Sequence, residues 1–343
     1  MRKLLNTLYV TLPEAYLGRD GENVVVRVSE EERFRVPIHN LEGIVCFNYV
    51  GTSPSLMGLC CERGVSLSYI ASSGRFLARV TGPVSGNVLL RRRQYRLTDN
   101  MEDATAIAIS FVSGKIHNCR NVLLRYLRDH DDKGGSAEVG EVANRLSAYG
   151  RSLHEQSTLD SLRGIEGDSA REYYSVFDHL ITSQKETFKF RGRTRRPPFD
   201  EVNALLSFLY TILAHDCAAA LETVGLDPQV GFLHRDRPGR MSLALDLMEE
   251  LRPYLVDRFV LTLINNGQVG PRGFTRKESG AVIMDEETRR YVIGEWQKRK
   301  LGEITHPFLN ERISVGLIPY VQALLLARHL RGDLDGYPPF LMR

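Results

Sequence analysis

The chain has 343 residues, of which 43% are hydrophobic and 25% are charged, and its formal net charge is only +3. These values are typical of globular proteins, and they argue against a disordered chain, a fibre or a strongly basic nucleic-acid coat, although a locally basic site remains compatible with them. The length predicts two domains. Five cysteines without a C-x-x-C pair argue against a disulfide framework or a zinc ribbon, and they favour a reducing compartment.

The first part of the chain, residues 1–97, predicts a β-rich domain. Short apolar runs rich in β-branched residues alternate with glycines, as expected for strands and turns. Asp20-Gly21 is a strong turn signal between two of the runs. One short helix is predicted over residues 55–63. The predicted strands cover residues 7–12, 23–28, 43–47, 65–70 and 76–80.

After residue 98 the apolar residues recur at helical spacing instead. The fold class is therefore α+β, with an N-terminal β-sheet-rich, β-sandwich-like domain (residues 1–97) followed by a larger all-α domain (residues 98–343). The apolar stretch 316–327 is too short to cross a bilayer, and the N-terminus lacks a signal-peptide pattern, so we expect a cytoplasmic protein without a membrane span. The predicted helices cover residues 104–128, 139–163, 166–183, 200–224, 242–263, 285–301 and 314–331.

Glu166 is the first candidate site residue, because on a helix it shares a face with Ala170, Tyr173 and Phe177. A carboxylate on an apolar stripe is costly unless it is paired or binds a metal. The ordinary interpretation is a half-exposed glutamate at a helix start, near the positive end of the dipole. Position alone favours that interpretation over a site.

A second candidate lies where apolar residues lead into His234, a Pro-Gly loop follows, and Ser242 is a plausible N-cap for the next helix. That helix places Asp246 and Glu249 on one face, and the adjacent Glu250 on another. A loop histidine facing two carboxylates can hold a metal, whereas the ordinary alternative is a solvated histidine beside surface acids. Two carboxylates and one imidazole suit Mg²⁺ or Mn²⁺.

Basic runs form the third feature, and they occur although the chain is nearly neutral. A basic run is often only a solvated surface. Several such runs beside a metal-type group of acids instead suggest contacts to phosphate backbones, so DNA-binding is predicted for these residues. They are Arg91, Arg92, Arg93, Lys115, Arg120, Arg191, Arg193, Arg195 and Arg196.

Taken together, these segments resemble the CRISPR-associated integrase-endonuclease family of the adaptation stage, the larger of the two universal spacer-acquisition proteins. The resemblance covers essentially the whole chain and is most similar to the type I-C subfamily. Its motifs are Asn6-Thr7-Leu8-Tyr9-Val10, Leu89-Leu90-Arg91-Arg92-Arg93-Gln94-Tyr95, Lys115-Ile116-His117-Asn118, Gly164-Ile165-Glu166-Gly167, Phe190-Arg191-Gly192-Arg193-Thr194-Arg195-Arg196-Pro197-Pro198 and Gly231-Phe232-Leu233-His234.

The resemblance implies that Glu166, His234 and Glu249 are catalytic residues that bind a divalent metal, Mg²⁺ or Mn²⁺, with Asp246 as a second choice. It also implies a homodimer, and a heterohexamer formed with the small adaptation partner protein. The substrates would be double-stranded DNA, namely the prespacer and the CRISPR repeat, joined by transesterification with associated nuclease activity. Two alternatives are a housekeeping metal-dependent nuclease on branched DNA and a non-catalytic DNA-binding scaffold.

Overall fold

The structure is a computed structural model that describes residues 6–47, 50–71, 76–80, 82, 87–130, 135–156 and 158–342. Its described residues divide into two compact units. The first contains the residues before Asn87 together with Glu286–Glu303 and Ser314–Leu317, and the second contains the remainder. The domain boundary that the sequence predicts between residues 97 and 98 stays a prediction. Both residues lie within one helix, Val88–Asp99.

The first unit contains two four-stranded sheets. One has the order β1-β5-β7-β8, and the other has the order β4-β3-β2-β6. Buried side chains from both sheets and from one helix form a shared hydrophobic core. The elements are β1 (Asn6–Val10), β2 (Ala15–Asp20), β3 (Asn23–Val28), β4 (Glu31–Pro37), β5 (Leu41–Phe47), β6 (Gly51–Thr52), α1 (Pro54–Arg63), β7 (Ser66–Ile70) and β8 (Phe76–Val80).

The β-rich prediction for this region is confirmed in its main elements. The turn at Asp20-Gly21 joins β2 to β3, and Gly21 adopts a φ of 56°, which suits glycine. The prediction missed β2, β4 and the two-residue strand β6. Strand β4 has five exposed residues in succession and therefore lacks the apolar run that marks a strand.

The second unit is mainly helical, and two short β-hairpins complete the fold. One wide turn of π-helix, Arg252–Asp257, joins the helix Ser242–Leu251 to the helix Arg258–Asn265. The remaining helices and strands are α2 (Val88–Asp99), α3 (Met101–Asp129), α4 (Ser136–Ser152), α5 (Leu159–Ser175), α6 (Glu201–Val224), α7 (Ser242–Leu251), α8 (Arg258–Asn265), β9 (Phe274–Arg276), β10 (Val282–Met284), α9 (Glu286–Leu301), β11 (Glu303–Thr305), β12 (Arg312–Ser314) and α10 (Ile318–Arg331).

Several helix bounds differ from the prediction. Residues 139–163 do not form one helix, because α4 ends at Ser152 and Thr158 caps a new helix by accepting a hydrogen bond from the Ser161 amide. Helix α2 was missed because its arginine-rich sequence has no clear apolar stripe. The helix predicted over 242–263 is interrupted by the π-helical turn, and α9 belongs to the first unit.

Helix α6 is long and apolar enough to cross a membrane by length and composition alone. However, 78% of its most apolar 18-residue window is buried inside the protein. A buried core helix passes the same test, and α6 fits that explanation because its side chains form much of the core of the second unit.

Candidate active site

Three residues from three helices meet at one point in the second unit. The Lys115 ammonium of α3 contacts the Glu166 carboxylate of α5, and it lies 2.8 Å from Oε2 of Glu249 on α7. The side chains of Lys115 and Glu249 are 7% and 3% exposed, whereas that of Glu166 is 25% exposed. The site therefore has a buried floor and is open to solvent beside Glu166.

Cations hold Glu249 in its ionised form. Arg252 Nη1 lies 3.0 Å from Glu249 Oε1, so each carboxylate oxygen faces a different cation. Burial alone would raise the pKa of Glu249, but the electrostatic influence of Arg252, Lys115 and His234 outweighs it and lowers the pKa below its ordinary value. Burial likewise opposes the charge on Lys115, yet Glu249 and Glu166 together raise its pKa.

Gly114 explains how Lys115 can reach Glu249. A Cβ atom at residue 114 would lie 2.8 Å from Glu250 Cβ and 3.0 Å from Pro339 Cβ. Only glycine therefore allows α3 to approach α7 and the C-terminal segment this closely at that point. The adjacent Lys115 is brought against Glu249 as a result.

His234 lies in a loop that is folded around the carboxylate of Asp246. Asp246 Oδ2 accepts hydrogen bonds from the amides of Phe232 (2.7 Å) and Leu233 (2.9 Å). Its Oδ1 accepts from the His234 amide at 3.0 Å and lies 2.6 Å from His234 Nδ1. Asp246 is fully buried and engaged by four hydrogen-bonding contacts from this loop, and its assignment as a second-choice metal ligand stays a prediction.

The same loop is tied to the helices on both sides of it. A Cβ at Gly231 would lie 2.8 Å from Asp246 Oδ2 and 2.8 Å from Ser242 Cβ, so a larger residue would collide there. Arg163 on α5, one turn before Glu166, donates to the Leu233 carbonyl at 2.7 Å. Ser242 is not the N-cap that the sequence predicts; its hydroxyl donates to the Arg235 carbonyl.

Glu166 lies in the middle of α5, so its interpretation as a helix-start glutamate is wrong. Among the residues that the structure describes, no three His, Cys, Asp or Glu side chains form a group that could hold a metal as the chain stands. The assignment of Glu166, His234 and Glu249 as metal ligands therefore stays a prediction. What the structure brings together is a pair of carboxylates with an ammonium between them.

A buried hydrogen-bonded network supports the site from behind. The guanidinium of Arg252 lies over the ring of Tyr210, 5.0 Å from its centroid. The Tyr210 hydroxyl donates to Asp257, and the Tyr173 hydroxyl donates to Asp257 Oδ2 at 3.1 Å. Burial raises the pKa of Asp257 to about 6 despite these hydrogen bonds. Sequence reasoning missed this network, because its members are far apart in the chain.

Glu250 belongs to a different network from that of Glu249. Its carboxylate accepts hydrogen bonds from Gln322 (3.0 Å), from the Tyr337 hydroxyl (2.5 Å) and from the Phe340 amide (2.9 Å). Asn118 on α3 holds the same C-terminal segment by accepting from the Met342 amide at 2.7 Å. Burial raises the pKa of Glu250 to about 7.

The residues predicted to bind DNA fall into three groups. Lys115 is engaged by carboxylates in the floor of the site, and Arg193 donates to Asn203 (2.6 Å) and Ser207 (3.1 Å) of α6, so neither is placed as a simple surface contact. Arg91 and Arg120 are half-buried. Five are exposed and remain candidates for phosphate contact: Arg92, Arg93, Arg191, Arg195 and Arg196.

Helices α3, α5 and α7 bring two carboxylates and an ammonium together in the second unit, and the loop of His234 is held by Asp246 of α7, in a chain of the α+β class whose N-terminal segment forms two sheets. The family described as "CRISPR associated protein Cas1" matches residues 8–298. A protein of Chlorobaculum tepidum named CRISPR-associated endonuclease Cas1 1 is 49% identical over 343 residues, which is 100% of both chains. A protein of Rhodospirillum rubrum named CRISPR-associated endonuclease Cas1 2 is 51% identical over 350 residues, again 100% of both. The chain belongs to the Cas1 family.

Solved structures share this fold at lower sequence identity. A casposase bound to an integration product is 21% identical, with a TM-score of 0.85, and the match covers 99% of this chain and 95% of that one. A chain of a Cas6-RT-Cas1–Cas2 complex is 24% identical, with a TM-score of 0.84, over 99% of this chain and 36% of that longer chain. These similarities support the α+β fold.

Proposed function

We propose that this protein is the integrase-endonuclease of CRISPR adaptation, from the type I-C subfamily, and that it joins prespacer DNA to the repeat by metal-dependent transesterification. Relatives that match over their whole length at 49% and 51% identity are named as CRISPR-associated endonucleases. The length of the chain and the sequences of its motifs favour the type I-C subfamily. The sandwich-like arrangement of the N-terminal unit is part of the proposal, since both sheets share one core.

One observation carries the catalytic assignment: the carboxylates of Glu166 and Glu249 converge on a single cation. Two carboxylates brought together below the surface repel each other and lose hydration, so such a pair is costly without a positive charge between them. Helices α5 and α7 contribute one each, which points to a built site instead of a chance surface pair.

The donor set fits Mg²⁺ or Mn²⁺. Glu249 Oε2 is buried and accepts no hydrogen bond of normal geometry within the described part of the chain; its contact is the ion pair with Lys115. His234 Nδ1 faces Asp246, which leaves Nε2 as the nitrogen able to donate a lone pair. Glu166, Glu249 and His234 would hold the ion, which when bound would polarise a phosphoryl oxygen and stabilise the developing charge.

The chain's own residues would then act on DNA as follows. Exposed arginines such as Arg195 and Arg196 neutralise backbone phosphates and orient the duplex. The 3′-hydroxyl of the prespacer loses its proton as it attacks a phosphorus atom of the repeat. A new P–O ester bond forms, the old P–O bond breaks, and the leaving 3′-oxygen takes up a proton. Attack by water in place of the hydroxyl gives the nuclease reaction.

The proposed assembly is a homodimer that forms a heterohexamer with the small partner protein in the cytoplasm. The complex described for one structural neighbour contains both Cas1 and Cas2, which supports a Cas2-type protein as the partner. Double-stranded prespacer and repeat DNA are the proposed substrates.

The decisive experiment is an integration assay with the small partner protein, Mn²⁺, a prespacer with free 3′-hydroxyls and a matching repeat. We expect the wild-type protein to join the two DNAs, and Glu166→Gln and His234→Ala each to abolish joining without loss of DNA binding. Cutting without joining would favour a nuclease acting on branched DNA. Full joining activity of both variants would show that the enzymatic site assignment is wrong, and neither joining nor cutting by the wild-type protein would favour a non-catalytic scaffold.

A further inference from the structure

Lys115 occupies the place where the proposed metal site requires a divalent ion. Its ammonium contacts Glu166 and lies 2.8 Å from Glu249 Oε2. The other oxygen of Glu249 is engaged by Arg252 at 3.0 Å. The Lys115 side chain is 7% exposed, so it is not a solvated residue that reaches the carboxylates by chance.

A metal ion and this ammonium would compete for the same oxygens. Mg²⁺ holds carboxylate oxygens at about 2.0–2.1 Å, inside the distance at which the ammonium now lies. A divalent cation and an ammonium that share two carboxylates would also repel each other strongly at a site with little water.

We propose that Lys115 is an internal counter-cation that keeps the carboxylates of Glu166 and Glu249 together and must be displaced when the metal binds. The inference rests on the proposed metal site. Lysine suits this role because its charge is carried on a flexible four-carbon stem, whereas the planar fork of arginine would bind the carboxylates in a fixed geometry. The open side of the site beside Glu166 gives the ammonium a way out.

The two possible roles of Lys115, a structural ion pair and a competitor of the metal, predict opposite changes in metal affinity when the lysine is removed. If Lys115 only braced the helices, its removal would let the carboxylates separate, and the metal would bind more weakly. If Lys115 competes with the metal, its removal leaves two carboxylates without their cation, and the metal binds more tightly. The sign of the change therefore distinguishes the two roles.

The test is titration of the full-length protein with Mn²⁺ alone, without DNA, followed by the electron paramagnetic resonance signal of free Mn²⁺. We expect Lys115→Met to bind at least tenfold more tightly than wild type, which equals about 1.4 kcal/mol. We expect Lys115→Arg to bind no more tightly than wild type. Equal or weaker binding by Lys115→Met would overturn the inference.

Glu166→Gln distinguishes a failure of this inference from a failure of the proposed function. If wild type and Lys115→Met bind equally well, and Glu166→Gln does not bind, the metal site stands and the competition is wrong. If folded wild type and Lys115→Met both fail to bind, the metal site itself is wrong and the inference falls with it.

A crystal structure of the wild-type protein with Mn²⁺ provides a second test that needs no variant. We expect the Lys115 ammonium to have left Glu249 Oε2, with the ion in contact with that oxygen. An ammonium still within 3 Å of both carboxylates, in a molecule that has bound the ion, would overturn the inference even if Lys115→Met did not fold.

Discussion

Glu249 and Glu250 are neighbours on α7, and both are fully buried, yet they face opposite chemical environments. Glu249 faces the cations of Lys115 and Arg252, which keep its pKa low. Glu250 faces neutral donors that hold the C-terminal segment, and burial raises its pKa to about 7. The comparison teaches that the partners of a buried carboxylate, and not its burial, decide whether it is available as an anion.

The largest expected effect is the loss of strand transfer in Glu249→Gln, compared with Glu250→Gln. Glu249→Gln removes the charge that faces the proposed metal, and we expect strand transfer to fall at least ~1,000-fold, equivalent to ~4 kcal/mol of transition-state stabilisation. Glu250→Gln, the matched control, keeps hydrogen-bonding groups where Gln322 and Tyr337 need them, and we expect activity within a few-fold of wild type. Equal losses in an integration assay would break the comparison.

The second prediction concerns stability. Glu250→Ala leaves the donors of Gln322, Tyr337 and Phe340 buried without their acceptor, and we expect the free energy of unfolding to fall by about 3 kcal/mol. Urea unfolding followed by circular dichroism measures this change. The exposed Glu278→Ala is the control and should stay within about 0.5 kcal/mol of wild type. A Glu250→Ala protein as stable as this control would contradict the role of the C-terminal network.

The third prediction extends the comparison to Asp257, whose pKa is raised from 3.8 to about 6. The folded state therefore binds more protons than the unfolded state in this interval, so the stabilising contribution is present below about pH 3.8 and is lost as the pH rises through about 6. Two pKa units correspond to at most about 3 kcal/mol.

Asp257→Asn should remove this pH dependence, because an amide does not titrate. Urea unfolding at pH 4 and pH 7 measures it: wild type should lose stability relative to Asp257→Asn between the two values. A constant difference between the two proteins would show that Asp257 titrates at its ordinary pKa.

The smallest expected effect is on DNA binding by the arginines of the basic run 191–196. Arg195 and Arg196 are exposed, whereas Arg193 donates to Asn203 and Ser207. We expect Arg195→Ala with Arg196→Ala to weaken DNA binding and to reduce the salt slope by about 0.9 for each phosphate that is no longer neutralised. Arg193→Ala should lower thermal stability with a smaller change in slope. Binding measured between 50 and 200 mM salt tests this, and the reverse order would place Arg193 on the DNA.

Local patterns predicted much of the fold, because strands such as β3 and helices such as α6 are marked by apolar residues that lie close together in the sequence. The helix face also separated Glu249 from Glu250 correctly. Lys115, predicted from its sequence context to bind DNA, shows what was missed. It lies four residues after Phe111 and four before Cys119, both buried, and this place on an apolar stripe is the signal that could have indicated a buried partner. The identity of that partner depends on helix packing, which the local sequence does not specify.

The π-helical turn between α7 and α8 determines the direction in which the side chains of Arg252 and Asp257 point. In an α-helix, Arg252 and Asp257, five residues apart, would point about 140° away from each other. The π-helical turn brings both to one tyrosine: Arg252 lies over the Tyr210 ring, and Asp257 accepts from its hydroxyl. Deleting one residue from this turn would rotate everything after it by about 100°, so the register of the helix matters here as much as the identity of its side chains.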